Sequence, residues 1–171
     1  MAKVCILGSG GFGIALAVHA DKCGHEVTVW SAFSDEIETI KQDGEHKKLL
    51  PGVKISEKIK LTANDGDING NHIYIFAIPS KFLRKVAKQL SNYISKEAVV
   101  VNVGKGLEDG TYKRLSEVLE EEIDSKIVIL SGPSHAEEVA TGMPTTVLAA
   151  SKDESAAKYI REQLSNTTFR I

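Results

Sequence analysis

Apolar residues along this chain fall into short runs that alternate between two periods. Lys3 to Leu7 (KVCIL) is a compact β-rich run that stops at a glycine. Phe12 to Lys22 follows, with Ile14, Leu16, Ala17 and Val18 at helical spacing, and Gly24 ends that helix. Glu26 to Trp30 is predicted as a second strand. Asp35 to Gln42 is predicted as a short helix capped by Ser34. Glu45 to Glu57 contains Pro51-Gly52 and reads as a turn-bearing connection, Ile59 to Thr62 as a third strand, and Asn64 to Asn71 as a polar loop. The alternation then strengthens. A strand at Ile73 to Ile78 stops at Pro79. Phe82 to Tyr93 places Leu83, Val86, Ala87 and Leu90 on one helical face. Ala98 to Val103 (AVVVNV) has the unbroken apolar character of a strand covered on both sides. A helix at Leu115 to Ile123, a strand at Lys126 to Leu130 and a helical turn after Pro133 come next. They are followed by a strand at Thr145 to Ala149, a helix at Glu154 to Leu164 and a terminal strand, Thr167 to Ile171.

Strands that alternate with helices imply βαβ units joined by right-handed crossovers. The expected fold is therefore α/β: a Rossmann-type, doubly wound, mostly parallel sheet of seven to eight strands with helices on both faces. No low-complexity stretch, internal repeat or Pro/Gly/Ser-rich linker interrupts the pattern, so residues 1–171 are read as a single domain.

Composition narrows the function. A chain of 171 residues with 42% hydrophobic residues can bury an ordinary core. Lys and Arg number 21 against 23 Asp and Glu, for a net charge of -2. This balance argues against a nucleic-acid partner, which would select a basic stripe. No apolar run approaches the roughly 20 residues that span a bilayer, and no basic, cleavable leader opens the chain. The expected location is cytoplasmic. Cys5 and Cys23 are too few for a metal or redox motif and fall at apolar positions, so both are expected to be buried, inert thiols, and no metal site is expected.

The candidate chemistry begins at Gly8-Ser9-Gly10-Gly11-Phe12-Gly13, between the first strand and the first helix. In that context G-x-G-x-x-G is a dinucleotide-binding fingerprint. Gly8 permits the tight turn, Gly10 lets a pyrophosphate approach the backbone, and Gly13 lets helix and strand pack closely. The free N–H groups near Gly11 and Phe12 face the anion. No lysine follows, which excludes a nucleoside-triphosphate P-loop. The acid that usually closes the second strand is missing: Ser31-Ala32-Phe33 follows Trp30, and the first carboxylate is Asp35. No arginine stands nearby to receive a 2′-phosphate. The loop therefore leaves NAD or NADP open.

Three further stretches lie at predicted strand ends: AIPSKF (77–82), NVGKGLEDG (102–110) and SGPSHAEEVATGMPTTVLAAS (131–151). Together with GSGGFGIALA, VTVW and LLPGVKI, they run in the same order as in the bacterial NAD(P)-dependent glycerol-3-phosphate dehydrogenases, which this chain resembles from Lys3 to about Ser151. The departures are small: Gly11-Phe12 where Ser-Trp is common, a leucine where tyrosine often precedes Leu-Pro-Gly, and His135 in place of phenylalanine. The resemblance implies hydride transfer between NAD(P)H and dihydroxyacetone phosphate, giving sn-glycerol 3-phosphate, a phospholipid precursor. It implies that Gly8, Gly10, Gly11, Phe12, Gly13, Ala32, Lys105 and Ala136 contact the cofactor, and that Lys105, Gly132 and Ser134 contact the substrate. Lys105 would be a supporting catalytic group. The main catalytic lysine would lie in a helical substrate domain after residue 171, and the full-length protein would work as a homodimer. On this reading the chain alone binds NAD(H) weakly and turns nothing over. Two alternatives are a related dehydrogenase acting on another hydroxy-acid substrate and a stand-alone NAD(H)-binding sensor.

Other chemistry-bearing residues have plainer expectations. His19, His25, His46 and His72 show no partner spacing and read as surface or helix-face residues; His135 carries no catalytic role. Glu137 and Glu138 diverge on their helix. Glu120 to Glu122 reads as a solvated face, Lys47-Lys48 as an exposed pair, and Trp30 equally as core or as an adenine neighbour.

Overall fold

The computed structural model describes residues 1–171. Its main sheet has seven strands. In chain order they are β1 (Lys3–Leu7), β2 (Glu26–Trp30), β3 (Lys60–Thr62), β4 (Ile73–Phe76), β5 (Val99–Asn102), β6 (Lys126–Ser131) and β8 (Leu148–Ser151). Across the sheet they run β3-β2-β1-β4-β5-β6-β8. Every pairing is parallel except β6 with β8. Six helices connect them: α1 (Gly11–Lys22), α2 (Ser34–Asp43), α3 (Ser80–Leu90), α4 (Leu115–Glu122), α5 (Ala136–Thr141) and α6 (Glu154–Leu164).

The strand period of two divides the core. Val4, Ile6, Ile73, Ile75, Val99 and Val101 face α1, α5 and α6. Cys5, Leu7, Tyr74, Phe76 and Val100 face α3 and α4. The central strands are covered on both sides, which is why they read as unbroken apolar runs. The order reverses beside β1, whose neighbours are β2 and β4. In such a sheet ligands bind in the crevice outside the carboxyl ends of the strands flanking this switch point. The loops after β1, β2 and β4 meet there: Gly8 N–H donates to the Trp30 carbonyl at 2.8 Å, and Ala77 N–H donates to Leu7 at 2.9 Å.

Several expectations are corrected. The strand expected at Thr145 to Ala149 is two strands with different partners. Thr145–Thr146 (β7) pairs in parallel with Phe169–Arg170 (β9), whereas β8 runs antiparallel to β6. Ser34 is the first residue of α2, not its cap; Phe33 holds the cap position without a side-chain bond. Asn64 to Asn71 includes a 3₁₀ turn at Asp65–Ile68, capped by the Asn64 side chain. Cys5 is buried, and burial pushes its thiol well above the usual range. Cys23, by contrast, is half-buried at the end of α1.

Of the four histidines read as surface or helix-face residues, His19, His25 and His46 are buried, and His19 lies on α1. His19 Nε2 bonds the Leu164 carbonyl at 2.6 Å. His25 accepts from Ala2 N–H at 3.1 Å and donates to the Gln163 carbonyl at 2.7 Å. They tie α1 and β2 to the end of α6. His46 is buried with no partner on Nε2. His72 accepts a bond from Lys3 N–H at 3.1 Å.

Candidate functional site

The four glycines of the first loop serve different needs. Gly8 has φ +117°, and a Cβ there would lie 2.5 Å from the Ala77 carbonyl oxygen. A Cβ on Gly13 would lie 2.1 Å from the Gly8 carbonyl oxygen, and one on Gly11 2.6 Å from that of Leu49. Backbone packing therefore demands glycine at these three positions. At Gly10 nothing lies within 4 Å of the place a Cβ would take, so that face of the loop stands open. Gly10 is also the N-cap of α1. It has no side-chain cap, and the first turn carries no acid, so the leading N–H groups and the positive end of the helix remain available to an anion.

Gly8 and Gly10 line a cleft of about 720 Å³ that also takes in Ala32, Ile78 and Pro79. This lies within the roughly 300–1,000 Å³ of small-molecule sites. Phe33 and Phe82 line it with largely exposed rings. Trp30 lies at its floor, only 1% exposed, and its indole N–H donates to Asp65 Oδ1 at 3.0 Å. It is thus both core and cleft wall. The Phe12 side chain turns away to pack on the α1 core, as does Ala136 at the start of α5, so the polar group each offers is its backbone.

A second cluster forms at the ends of β5 and β6. Lys105 Nζ donates to the Gly132 carbonyl at 3.3 Å, and Ser134 Oγ donates to the same oxygen at 3.4 Å. Lys105, Gly132 and Ser134 therefore come together although Lys105 and Gly132 are 27 positions apart in sequence. A Cβ on Gly132 would lie 2.9 Å from both the Thr146 carbonyl oxygen and Val147 Cα. Packing on the β7–β8 joint requires the glycine, and its carbonyl is what reaches Lys105. His135 is exposed; Glu138 is half-buried and Glu137 exposed, so this pair does diverge.

The loop after β4 joins the two clusters. Gly8 abuts Ala77 on one side. On the other, a Cβ on Gly104 would lie 3.2 Å from the Ile78 carbonyl oxygen. Asn102, buried at the end of β5, locks the Lys105 loop. Its amide donates to the Gly104 carbonyl at 3.0 Å, and its Oδ1 accepts from Gly104 N–H at 3.2 Å. Sequence reading passed over Asn102, although a polar residue ending an apolar run was a usable signal.

Arg84 was missed as well. It joins Glu108, Glu121 and Glu122 at 2.6, 2.8 and 2.6 Å, so Glu120 to Glu122 is not merely a solvated face. Hydrogen bonds from Arg84 and then Thr111 pull the Glu108 carboxyl down to about 2. The three carboxylates in turn raise the guanidinium further above its usual range. No group of three or more His, Cys, Asp and Glu side chains is placed to hold a metal ion.

Comparison with known proteins agrees with this architecture. The family model described as NAD-dependent glycerol-3-phosphate dehydrogenase N-terminus matches residues 3–157. A glycerol-3-phosphate dehydrogenase [NAD(P)+] of Fusobacterium nucleatum is 39% identical over 175 residues, with 100% of this chain and 52% of the relative covered. The Bacillus subtilis protein of the same name is 42% identical over 176 residues, with 100% and 51% covered. The crystal structure of glycerol-3-phosphate dehydrogenase from Coxiella burnetii superposes with a TM-score of 0.92 at 29% identity, covering 99% of this chain and 52% of that one. The chain spans about half the length of the curated relatives it matches. It belongs to the family of NAD-dependent glycerol-3-phosphate dehydrogenase N-terminal domains.

Proposed function

We propose that this chain is the cofactor-binding part of an oxidoreductase that moves a hydride between NAD(P)H and dihydroxyacetone phosphate, giving sn-glycerol 3-phosphate. The observation that carries this reading is the convergence of two clusters on one loop, with Gly8 against Ala77, Gly104 against Ile78, and Lys105 reaching Gly132. The open face at Gly10 and the uncapped start of α1 fit a pyrophosphate, held by the N–H groups of Gly11 and Phe12. Gly8 and Gly13 hold the loop in shape for it. Ala32 lies on the adenosine side, and Ala136 offers its backbone from the start of α5. When bound, the cofactor supplies the hydride; the protein supplies position and field.

Lys105, Gly132 and Ser134 form the substrate side. The Lys105 ammonium donates hydrogen bonds to the ketone oxygen and stabilises the negative charge that grows there. In this reading residues 1–171 are the dinucleotide-binding domain, and the lysine that transfers the proton belongs to a helical substrate domain outside them. The whole protein acts as a cytoplasmic homodimer on a small-molecule substrate; no helix here is long and apolar enough to cross a membrane. A stand-alone sensor would account for the cleft but leaves the Lys105–Gly132–Ser134 cluster without a purpose.

The deciding assay supplies the full-length protein with NADH or NADPH and either dihydroxyacetone phosphate or a panel of 3-hydroxyacyl and gluconate-type substrates. Reduction of dihydroxyacetone phosphate is expected. Turnover of the panel without it would assign the domain to a different dehydrogenase.

A further inference from the structure

The carboxylate that usually closes the second strand is absent from the end of β2, and the nearest acids stand in the next helix. Ser31 occupies the place of the usual acid. It is buried, and its hydroxyl accepts the Phe33 N–H at 3.3 Å, so it is committed to the turn. Two acids follow in the first turn of α2, and they behave differently. Asp35 is exposed and stays within its own helix, where its carboxylate accepts the Ser34 hydroxyl at 3.4 Å. Glu36 is half-buried and turns towards the glycine loop, where its Oε1 accepts the hydroxyl of Ser9. Glu36, unlike Asp35, lines the cleft together with Gly8, Gly10, Ala32 and Phe33. It forms no ion pair, so its charge is not cancelled locally.

Taking the cleft as the dinucleotide site, on which this inference rests, the pyrophosphate lies at Gly10 and the adenine near Phe33. The adenosine ribose joins the two and passes Ser9 and Glu36. A carboxylate there accepts a hydrogen bond from a ribose hydroxyl and repels a phosphate on the same carbon. We propose that Glu36, held by Ser9, sets cofactor choice and makes this an NAD(H)-preferring site that discriminates against the 2′-phosphate of NADP(H). The one basic side chain lining the cleft is Lys85, on the α3 wall. It is the group that would oppose this preference.

The experiment titrates the full-length protein with NADH and with NADPH at fixed ionic strength, reading cofactor fluorescence. NADH is expected to bind at least about 10-fold tighter, the order of discrimination one like-charge contact provides near a protein surface. Glu36→Gln keeps an acceptor for Ser9 and removes the charge. It is expected to tighten NADPH by about 10-fold while NADH changes by less than about 3-fold. Ser9→Ala releases the carboxylate and is expected to narrow the ratio. Equal affinity in the wild type, or a Glu36→Gln change that moves both cofactors together, overturns the proposal. Tighter NADPH binding that is lost in Lys85→Met also overturns it and gives the choice to Lys85. Binding of neither cofactor overturns the dinucleotide reading along with it, so the two failures are distinct.

Discussion

Arg84 grips Glu108 through two parallel hydrogen bonds, Nε to Oε1 at 2.6 Å and Nη2 to Oε2 at 2.8 Å. Such fork-to-fork pairing adds geometric specificity as well as energy to a charged contact. It joins α3 to the loop that follows β5, three residues beyond Lys105. Thr111 Oγ1 also donates to Glu108 at 2.6 Å, and Tyr112 N–H donates to its carbonyl at 2.9 Å, so Glu108 organises the loop around itself. Tyr112, with φ 56°, is the one non-glycine residue in the left-handed region, which marks how tightly that turn is held.

Freeing Glu108 should loosen Lys105 without touching the cofactor cleft. Arg84→Met in the full-length protein is expected to lower kcat/KM for dihydroxyacetone phosphate by about 10-fold, the kind of loss that small misplacements cause. NADH affinity should stay within about 2-fold, since Arg84 does not line the cleft. Arg84→Lys should restore little, because an ammonium cannot serve both carboxylate oxygens in the same plane. Steady-state kinetics beside a cofactor titration separates these effects, and full rescue by lysine would show that charge alone suffices. The pairing also sets an acid limit. Glu108 is held at about 2, below its ordinary 4.5, so its contribution is complete above about 4.5 and disappears as the pH falls towards 2.

Lys105 carries the substrate side of the proposed chemistry. Lys105→Ala in the full-length enzyme is expected to lower kcat by at least about 10²-fold, as the loss of an oxyanion stabiliser does. Its ammonium rests 3.3 Å from the Gly132 carbonyl and is otherwise exposed, so removal should leave the melting temperature nearly unchanged. A near-normal rate would take Lys105 out of the mechanism.

The glycine loop separates folding from binding. Gly13→Ala drives a methyl to within 2.1 Å of the Gly8 carbonyl oxygen, a clash with backbone that no side-chain rotation relieves. It is expected to cost about 3 kcal/mol, the upper range of overpacking, and to show as a lower denaturation midpoint. Gly10→Ala meets nothing within 4 Å, so stability should be nearly unchanged. The added methyl instead occupies the face left open to the pyrophosphate, and NADH affinity should fall by at least about 10-fold, a loss of roughly 1.4 kcal/mol. Calorimetry on both variants, with and without NADH, tests the contrast.

The glycine turn between β1 and α1 was legible in sequence because its shape is set locally, by a strand of period two meeting a helix of period 3.6. The same holds for the helix Glu154 to Leu164, whose ends match the structure. What escaped depends on partners far along the chain. Nothing around Thr145 says that β7 will pair with β9 while β8 turns back along β6. Glu36 reads as an ordinary first-turn acid until the fold brings Ser9 beside it. That Thr146 and Val147 leave no room for a side chain at Gly132 is equally invisible along the sequence. His19 and His25 were misread for the same reason: their acceptors are backbone carbonyls 145 and 138 residues away, and no spacing between histidines reveals them.

His19 gives the fold its own pH dependence near neutrality. It is 4% exposed, its ring lies 4.7 Å from that of Phe169, and Nε2 bonds the Leu164 carbonyl. Burial lowers its pKa from the ordinary 6.5. The carbonyl bond opposes this, and the nearby charge of Lys22 adds to it. A histidine lowered in the folded state takes up its proton more readily when unfolded. The unfolded chain therefore gains protons first as the pH falls below 6.5. The stability that depends on neutral His19 is complete above about 6.5 and is lost as the pH falls from there through the folded value. His19→Gln keeps a donor for the Leu164 carbonyl and removes the titration. Melting temperatures between pH 8 and 5 should fall more steeply for the wild type than for His19→Gln, and parallel slopes would show that protonation of His19 does not drive the loss.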